Sequence, residues 1–194
     1  LSADAHLNIR FYMGDFDLRY GLCGSDCSHL ALLLGGRFAH LDQDFTGSYT
    51  LLGATDVNTR INFDGGGPRL GLEGHYDLFG SRTFLYGRSD VSLLFGHFGA
   101  NYLQTNVFAG VQAETSFSDD RFVPIWETEL GVGWRSKCGR FELTAGYTAA
   151  AWFNVMTTSS WIQGVQETAF SSNRDNLRDT LTFDGLFARF LFRF

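Results

Sequence analysis

The feature that most constrains this chain is a period of two in its hydrophobic residues, which recurs in at least six segments. In the last fifteen residues, TLTFDGLFARFLFRF, the even-numbered positions from Leu186 to Phe194 are apolar, whereas Arg189 and Arg193 fall on the opposite face. Successive side chains of a β-strand point to opposite faces of the sheet, so this pattern predicts strands with one apolar and one charged face. The sequence therefore favours an all-β fold.

Two faces can be assigned across all of these segments. In VPIWETELGVGWR, for example, Trp126 and Trp134 share the apolar face, while Glu127 and Glu129 share the other. The polar faces together carry Arg37, Arg69, Glu73, His75, Arg88, Asp90, Glu127, Glu129, Arg140, Glu142 and Arg189. The aromatic residues that suit anchors at a membrane interface are Tyr76, Trp126, Trp134, Tyr147 and Phe194, with Trp152 and Trp161 as weaker candidates.

Alternation alone does not decide which face is inside, since a soluble barrel would bury the apolar one. Glycines accompany the charges, as suits a crowded and curved interior, at Gly71, Gly131, Gly133, Gly146 and Gly185. Trp126 and Trp134 are separated by about 26 Å along a strand, which is about 20 Å of height at a tilt of about 40°. Because this height is close to the apolar band of outer-membrane barrels, we predict that the charged face lines the interior and the apolar face contacts lipid.

The connections also indicate a membrane barrel. Short links (GLCGSDCS, LFGSRT and RSKCGR) alternate with long polar segments at 42–62, 99–120 and 154–178. Short periplasmic turns and long outer loops are typical of barrels in the outer membrane. The predicted fold is an all-β, antiparallel up-and-down transmembrane β-barrel that occupies residues 1–194 as a single domain.

The sequence shows about seven strands, although a complete single-chain barrel has an even number. We therefore expect eight or more strands in the complete protein, through N-terminal strands that this chain lacks or a turn hidden in its first segment. The alternation slips phase there, since Leu7, Phe11 and Met13 are odd-numbered whereas Phe16 and Leu18 are even-numbered. We interpret MGDF as a β-bulge, because splitting this segment gives strands shorter than the roughly 9–11 residues that span a membrane.

Composition excludes several classes of function. The net charge is -6 and no block of Lys or Arg occurs, so we exclude nucleic acid as a partner. No apolar run reaches the roughly 18 residues of a membrane helix. The cysteines, Cys23, Cys27 and Cys138, form no zinc framework, and a Cys23–Cys27 disulfide and free thiols stand as alternatives. We expect neither a cofactor nor a metal ion.

The segment NFDGGGPRLGLEGHYDLFGSRTFLYGRSDVSLLFGHF carries a family resemblance. It is similar to the pattern F-x-G-x-G-P-R-x-G followed by S-L-L-x-G in Legionella-type pore-forming outer-membrane proteins, and its most specific part is Gly67, Pro68 and Arg69. The terminal ARFLFRF, which ends at Phe194, resembles the signal that the barrel-assembly machinery recognises. The resemblance implies an outer-membrane location, the lipid bilayer and that machinery as partners, porin-like activity, and no catalytic residues.

Three functions are compatible with these observations. The first is passive passage of small solutes or ions, the second a closed barrel with a structural or adhesive role through its outer loops, and the third a soluble ligand-binding barrel. Interior charges must pair in a narrow barrel, whereas in a wide one they set ion selectivity. No nucleophile accompanies the rim residues His40, Asp44 and His97, so we expect no enzymatic activity. A homo-oligomer or another envelope protein is a further candidate partner.

Overall fold

The computed structural model describes residues 2–24, 28–50, 53–78, 82–137, 140–167 and 177–192. Seven β-strands occupy most of them: β1 (Ser2–Gly24), β2 (Ser28–Thr50), β3 (Ala54–Asp77), β4 (Thr83–Asn106), β5 (Gly110–Arg135), β6 (Phe141–Val155) and β7 (Asp179–Phe192). A helix, α1 (Thr158–Glu167), lies between β6 and β7. All neighbouring strands pair antiparallel, and their order in the sheet is their order in the chain. The structure is an up-and-down sheet curled into a half-barrel, as the alternation predicts.

The curl brings inward-facing side chains of distant strands into contact. Arg37 of β2 reaches Glu127 of β5, with 2.6 Å between nitrogen and oxygen. The rings of Phe11 on β1 and Phe183 on β7 lie 4.8 Å apart. Within the described residues, these two strands are the edges of the sheet, and each pairs with one neighbour. The interior is therefore narrow, and side chains from opposite walls meet within it.

The two ends of the half-barrel differ in their connections. The end that we call the turn end carries the connections through residues 25–27, 78–82 and 136–140, and the helix end carries those through 51–53, 107–109 and 156–178. The expectation of long loops at 42–62 and 99–120 is wrong, because β2 and β3, like β4 and β5, continue as paired strands through most of these segments. Only 156–178 remains a long connection.

The apolar side chains of the sheet move from one face to the other along one row of residues. This boundary row joins the paired positions Gly14, Phe38, Gly66, Phe95 and Phe122 of the first five strands. Between the row and the turn end, the outer face is apolar and exposed, as at Leu34, Leu72, Leu93, Trp126 and Leu130. Between the row and the helix end, apolar side chains are instead buried on the inner face, as at Leu41, Ile61, Phe63, Phe98 and Ala100.

This change of face explains why the alternation of apolar residues shifts by one position within the first segment. Pairing between β1 and β2 runs without interruption from Phe11 opposite Leu41 to Phe16 opposite Gly36, and the register shifts only between Gly21 and Cys23. The predicted bulge at MGDF is therefore wrong. The backbone stays regular, while the apolar positions move from the inner face to the outer face because the surroundings of the strand change there.

The hydrophobic core lies at the helix end and includes α1. Trp161 and Val165 of the helix, with Leu177 beyond it, pack against the inward-facing core of the sheet. The helix starts with a reciprocal cap, in which the Ser160 amide donates to the Thr157 hydroxyl and the Thr157 amide donates to the Ser160 hydroxyl. Among the described residues, no helix is long and apolar enough to cross a membrane.

Inward-facing glycines allow close approach in the narrow interior. Gly131 and Gly146 are paired across β5 and β6, and a Cβ at Gly146 would collide with the backbone carbonyl of Leu130. A Cβ at Gly133 would collide with the ring of Phe84, and one at Gly71 would approach Asp90. Gly185 is the exception, since nothing lies within 4 Å of its Cβ position.

Candidate functional site

A network of ion pairs fills the interior on the turn-end side of the boundary row. We call it the interior network, and its members are Asp15, Asp17, Arg37, Arg69, Arg88, Asp90 and Glu127. They come from β1 to β5, and strand alternation directs each of them to the same side of the sheet. Three guanidinium groups thus face four carboxylates in a space enclosed by curved sheet.

Arg37 lies at the centre of this network. Its side chain is 1% exposed, and it contacts Asp15 at 2.7 Å and Glu127 at 2.6 Å. Arg69 is equally buried and contacts both Asp15 and Asp17 at 2.7 Å and Asp90 at 2.8 Å. Because the attraction between charges strengthens in a poorly solvated interior, these contacts fix the side chains to one another and hold the curl of the sheet.

A second charged group lies nearer the turn end. Arg19 pairs with Glu73 at 2.7 Å, and Arg135 pairs with Glu142 at 3.3 Å. His75 lies 3.9 Å from Glu73. These five side chains line a cavity of about 320 Å³ at this end of the interior.

Arg189 of β7 lies between the two charged groups. It donates hydrogen bonds to the Tyr86 hydroxyl at 3.2 Å and to Glu129 at 3.0 Å, and Tyr86 itself donates to Glu129 at 3.1 Å. Arg189 lines the cavity at the turn end and also a second cavity, of about 540 Å³, that is bounded by the interior network. The two cavities therefore meet at this side chain.

The helix end of the interior is closed by the segment that carries α1. Gln43 of β2, 1% exposed, donates to the Met156 carbonyl at 2.8 Å and accepts from the Thr158 amide at 3.1 Å. At the other end of the same connection, before β7, Arg121 of β5 donates to the Leu177 carbonyl at 3.1 Å. A third cavity, of about 560 Å³, lies between this segment and the helix-end halves of β1 and β7.

Polar side chains on the outer face, beyond the boundary row, form their own pairs. Arg60 and Arg10 both contact Asp44, at 2.6 Å and 2.9 Å. A hydrogen bond from Arg60 holds the pKa of Asp44 below its ordinary value. His40 contacts Asp64 at 2.6 Å, and this hydrogen bond raises the pKa of the imidazole, with a smaller contribution from Asp42. These surface charges mark the part of the outer face that is suited to water.

Most of the residues that alternation assigned to the interior do face it. Those on the inner side are Arg37, Arg69, Glu73, His75, Arg88, Asp90, Glu127, Glu129, Glu142 and Arg189. Arg140 differs, because it lies in the connection before β6 with its side chain exposed. The described aromatic anchors, Tyr76, Trp126, Trp134 and Tyr147, are all exposed on the outer face.

Two tryptophans occupy a different place from the one expected. Trp152 and Trp161, weaker candidates for interface anchors, are both buried in the core at the helix end. Trp152 follows the inner-face parity of β6, and Trp161 belongs to a helix that the alternation did not reveal. Phe194 and Cys27 lie outside the described residues, so the terminal signal and the Cys23–Cys27 disulfide stay predictions. Cys23 is exposed near the end of β1.

Alternation missed three members of the charged interior. Asp15, Asp17 and Arg19 of β1 contact Arg37, Arg69 and Glu73 respectively. Their signal was present in the sequence, because they alternate with Phe16, Leu18 and Tyr20. Interpretation of the phase slip as a bulge concealed it.

The fold and the interior together define a class of protein. Seven antiparallel strands that expose apolar residues to the outside and enclose paired charges form the wall of a transmembrane β-barrel. The chain matches, over residues 1–194, the model of the family described as Legionella pneumophila major outer membrane protein precursor, and it belongs to that family. Its location is accordingly the bacterial outer membrane. No curated protein and no solved structure matches the chain.

Proposed function

We propose that the protein is a porin-type channel for passive passage of small solutes or ions across the outer membrane, and not an enzyme. The observation that carries this proposal is the series of interior cavities, of about 320, 540 and 560 Å³, from the turn end to the helix end. Along β1 they follow one another at Arg19, then Phe11 to Asp15, then Leu7 and Ile9. A series of spaces from one end of the interior to the other is what a permeation route requires.

The charges along this route support small and hydrated solutes as cargo. Side chains of both signs face the middle cavity, including Arg37, Arg88 and Glu129. Permeation through such a segment requires binding that is favourable enough for entry and weak enough for exit. Paired charges meet this condition better than a single-sign ring, because each ion that enters finds a nearby opposite charge and a nearby like charge.

A closed, non-conducting barrel is the second candidate function, and the core at the helix end favours it. Phe63, Leu94 and Phe98 have no appreciable exposed surface, and α1 packs over them. A barrel of about eight strands has an interior just wide enough to be filled by side chains. In this case the interior network would serve stability, and the surface at the helix end would carry the function.

Influx of neutral sugars of graded size into liposomes distinguishes the two candidates. The protein is refolded, reconstituted and compared with empty liposomes. Influx that decreases as the sugar becomes larger is the result expected of a channel. No influx of any sugar and no ion conductance, from protein that is folded and inserted, contradicts the channel and leaves the closed barrel. We also propose two kinds of partner. One is the barrel-assembly machinery, which would recognise Phe194, and the other is a second copy of the chain or another envelope protein.

A further inference from the structure

Three aromatic side chains separate the middle cavity from the cavity at the helix end. Phe11 and Phe183 meet with ring centroids 4.8 Å apart, and Trp152 lies edge-on to Phe183 at 6.3 Å. All three line the middle cavity, while the next inward residues on the two edge strands, Ile9 and Leu181, line the cavity beyond. We call Phe11, Phe183 and Trp152 the aromatic barrier.

The barrier is apolar, and polar side chains are present on both sides of it. On its turn-end side Met13 is the next inward residue of β1, and the one after it, Asp15, belongs to the interior network. On its helix-end side the cavity is lined by apolar side chains, such as Leu7, Ile9 and Leu181, together with the hydroxyl and amide groups of Thr157, Thr158 and Gln43. An ion that leaves the interior network towards the helix end must therefore pass three aromatic rings that carry no charge.

The three rings differ in how firmly they are held. Trp152 has no exposed surface and belongs to the core, so it acts as a fixed wall. Phe11 is 42% exposed, and Phe183 is only partly buried. Both stand on the edge strands of the described sheet, where β1 and β7 each pair with one neighbour. Because their side chains are more exposed than that of Trp152, these two rings are the adjustable part of the barrier.

We infer that Phe11 and Phe183, packed against Trp152, form the apolar constriction that limits conductance and solute size in this channel. Hydrophobic constrictions control permeation by excluding water from a short segment, and removal of ring volume restores the water. This inference rests on the proposed function, because a constriction has a measurable effect only where solutes pass. It assigns selectivity by size to the rings and leaves selectivity by charge to the interior network.

The test is single-channel conductance of the whole protein in a planar lipid bilayer, with substitutions in both directions. Phe11→Ala combined with Phe183→Ala should raise conductance about twofold or more, because the narrowest apolar segment dominates the resistance. Phe11→Trp should lower it. The matched control is Phe95→Ala, which removes the same ring from a pair with Phe122 on the lipid-facing side, at 5.1 Å between centroids. It should leave the conductance unchanged.

The outcomes separate this inference from the function on which it rests. A conducting wild type whose conductance the double variant leaves unchanged overturns the barrier and retains the channel. A silent wild type together with a conducting double variant supports the barrier as a closed gate and contradicts an open channel in the wild-type protein. Silence from both proteins, each shown to be folded by heat-dependent gel mobility, overturns both.

Discussion

Arg37 is the residue on which the interior network depends most. Its guanidinium contacts Glu127 at 2.6 Å, and without it Glu127 would have Arg69 only at 3.9 Å. Loss of one partner from a buried ion pair costs about 3–5 kcal/mol, because the remaining charge stays buried. We therefore expect Arg37→Ala to lower the free energy of unfolding by about that amount, as measured by urea titration of the refolded protein in lipid vesicles.

Two variants test the cause of this loss. Arg37→Met combined with Glu127→Leu removes the pair together, and it should recover much of the stability, since apolar replacements of a whole buried pair are often tolerated. Arg10→Ala removes an arginine from an exposed pair with Asp44 and should have little effect. An Arg37→Ala protein that unfolds at the same urea concentration as the wild type would refute the role given to this network.

His40 should show a pH-dependent contact on the outer face. Its hydrogen bond to Asp64 raises its pKa in the folded protein above the ordinary value of about 6.5. The stability that this contact adds is thus fully present below the unfolded pKa and is lost as the pH rises through the higher, folded pKa. An NMR titration of the His40 ring should give a midpoint above about 6.5, and Asp64→Asn should lower it. A midpoint that Asp64→Asn does not change would show that the contact does not form.

At the scale of elements, α1 is held in the interior through Gln43. Gln43→Ala removes the partner of the Met156 carbonyl and of the Thr158 amide, and buried groups left without partners cost about 1–3 kcal/mol. We expect limited proteolysis within 156–178 to become faster, while cleavage of the paired strands is unchanged. Gln104→Ala is the control, because Gln104 bonds Gln112 at the surface of the same end. Equal cleavage of wild type and Gln43→Ala would contradict the anchoring role.

The strands could be predicted from sequence because the surroundings of each face determine which alternate residues of a strand are apolar and which are polar. The interior positions of Arg69, Glu73 and Asp90 follow directly from parity, since their neighbours on both sides are apolar or small. The first strand was harder, because its apolar positions change face at Gly14 while its backbone continues regularly. A change of surroundings and a bulge give the same pattern in a sequence, and only the pairing of β1 with β2 separates them.

The closure of the helix end could not be predicted in the same way. Helix α1 has only ten residues, and the structure stabilises it through tertiary contacts of Trp161 and Val165 with the sheet. Long-range bonds, such as that between Gln43 and Met156, join residues 113 positions apart. Neither feature leaves a local period in the sequence, which explains why Trp152 and Trp161 were assigned to a membrane interface.

At the scale of the whole molecule, the fluorescence of the four tryptophans can show which face of the sheet contacts lipid. Trp126 and Trp134 are exposed on the outer face, whereas Trp152 and Trp161 are buried in the core. In variants that each keep one tryptophan and carry Phe at the other three positions, brominated lipids should quench Trp126 and Trp134 strongly and the other two weakly. The opposite ranking would mean that the apolar outer face does not contact lipid.

The measurement that tests the central claim most directly is the current through single molecules of the refolded protein in a planar bilayer under a salt gradient. The succession of interior cavities predicts discrete and reproducible steps, with a reversal potential that changes when Glu127→Gln removes one charge from the interior network. Absence of steps, from protein that is inserted and whose Phe11→Ala/Phe183→Ala variant is also silent, would contradict a channel and make the paired charges a structural filling of a closed barrel.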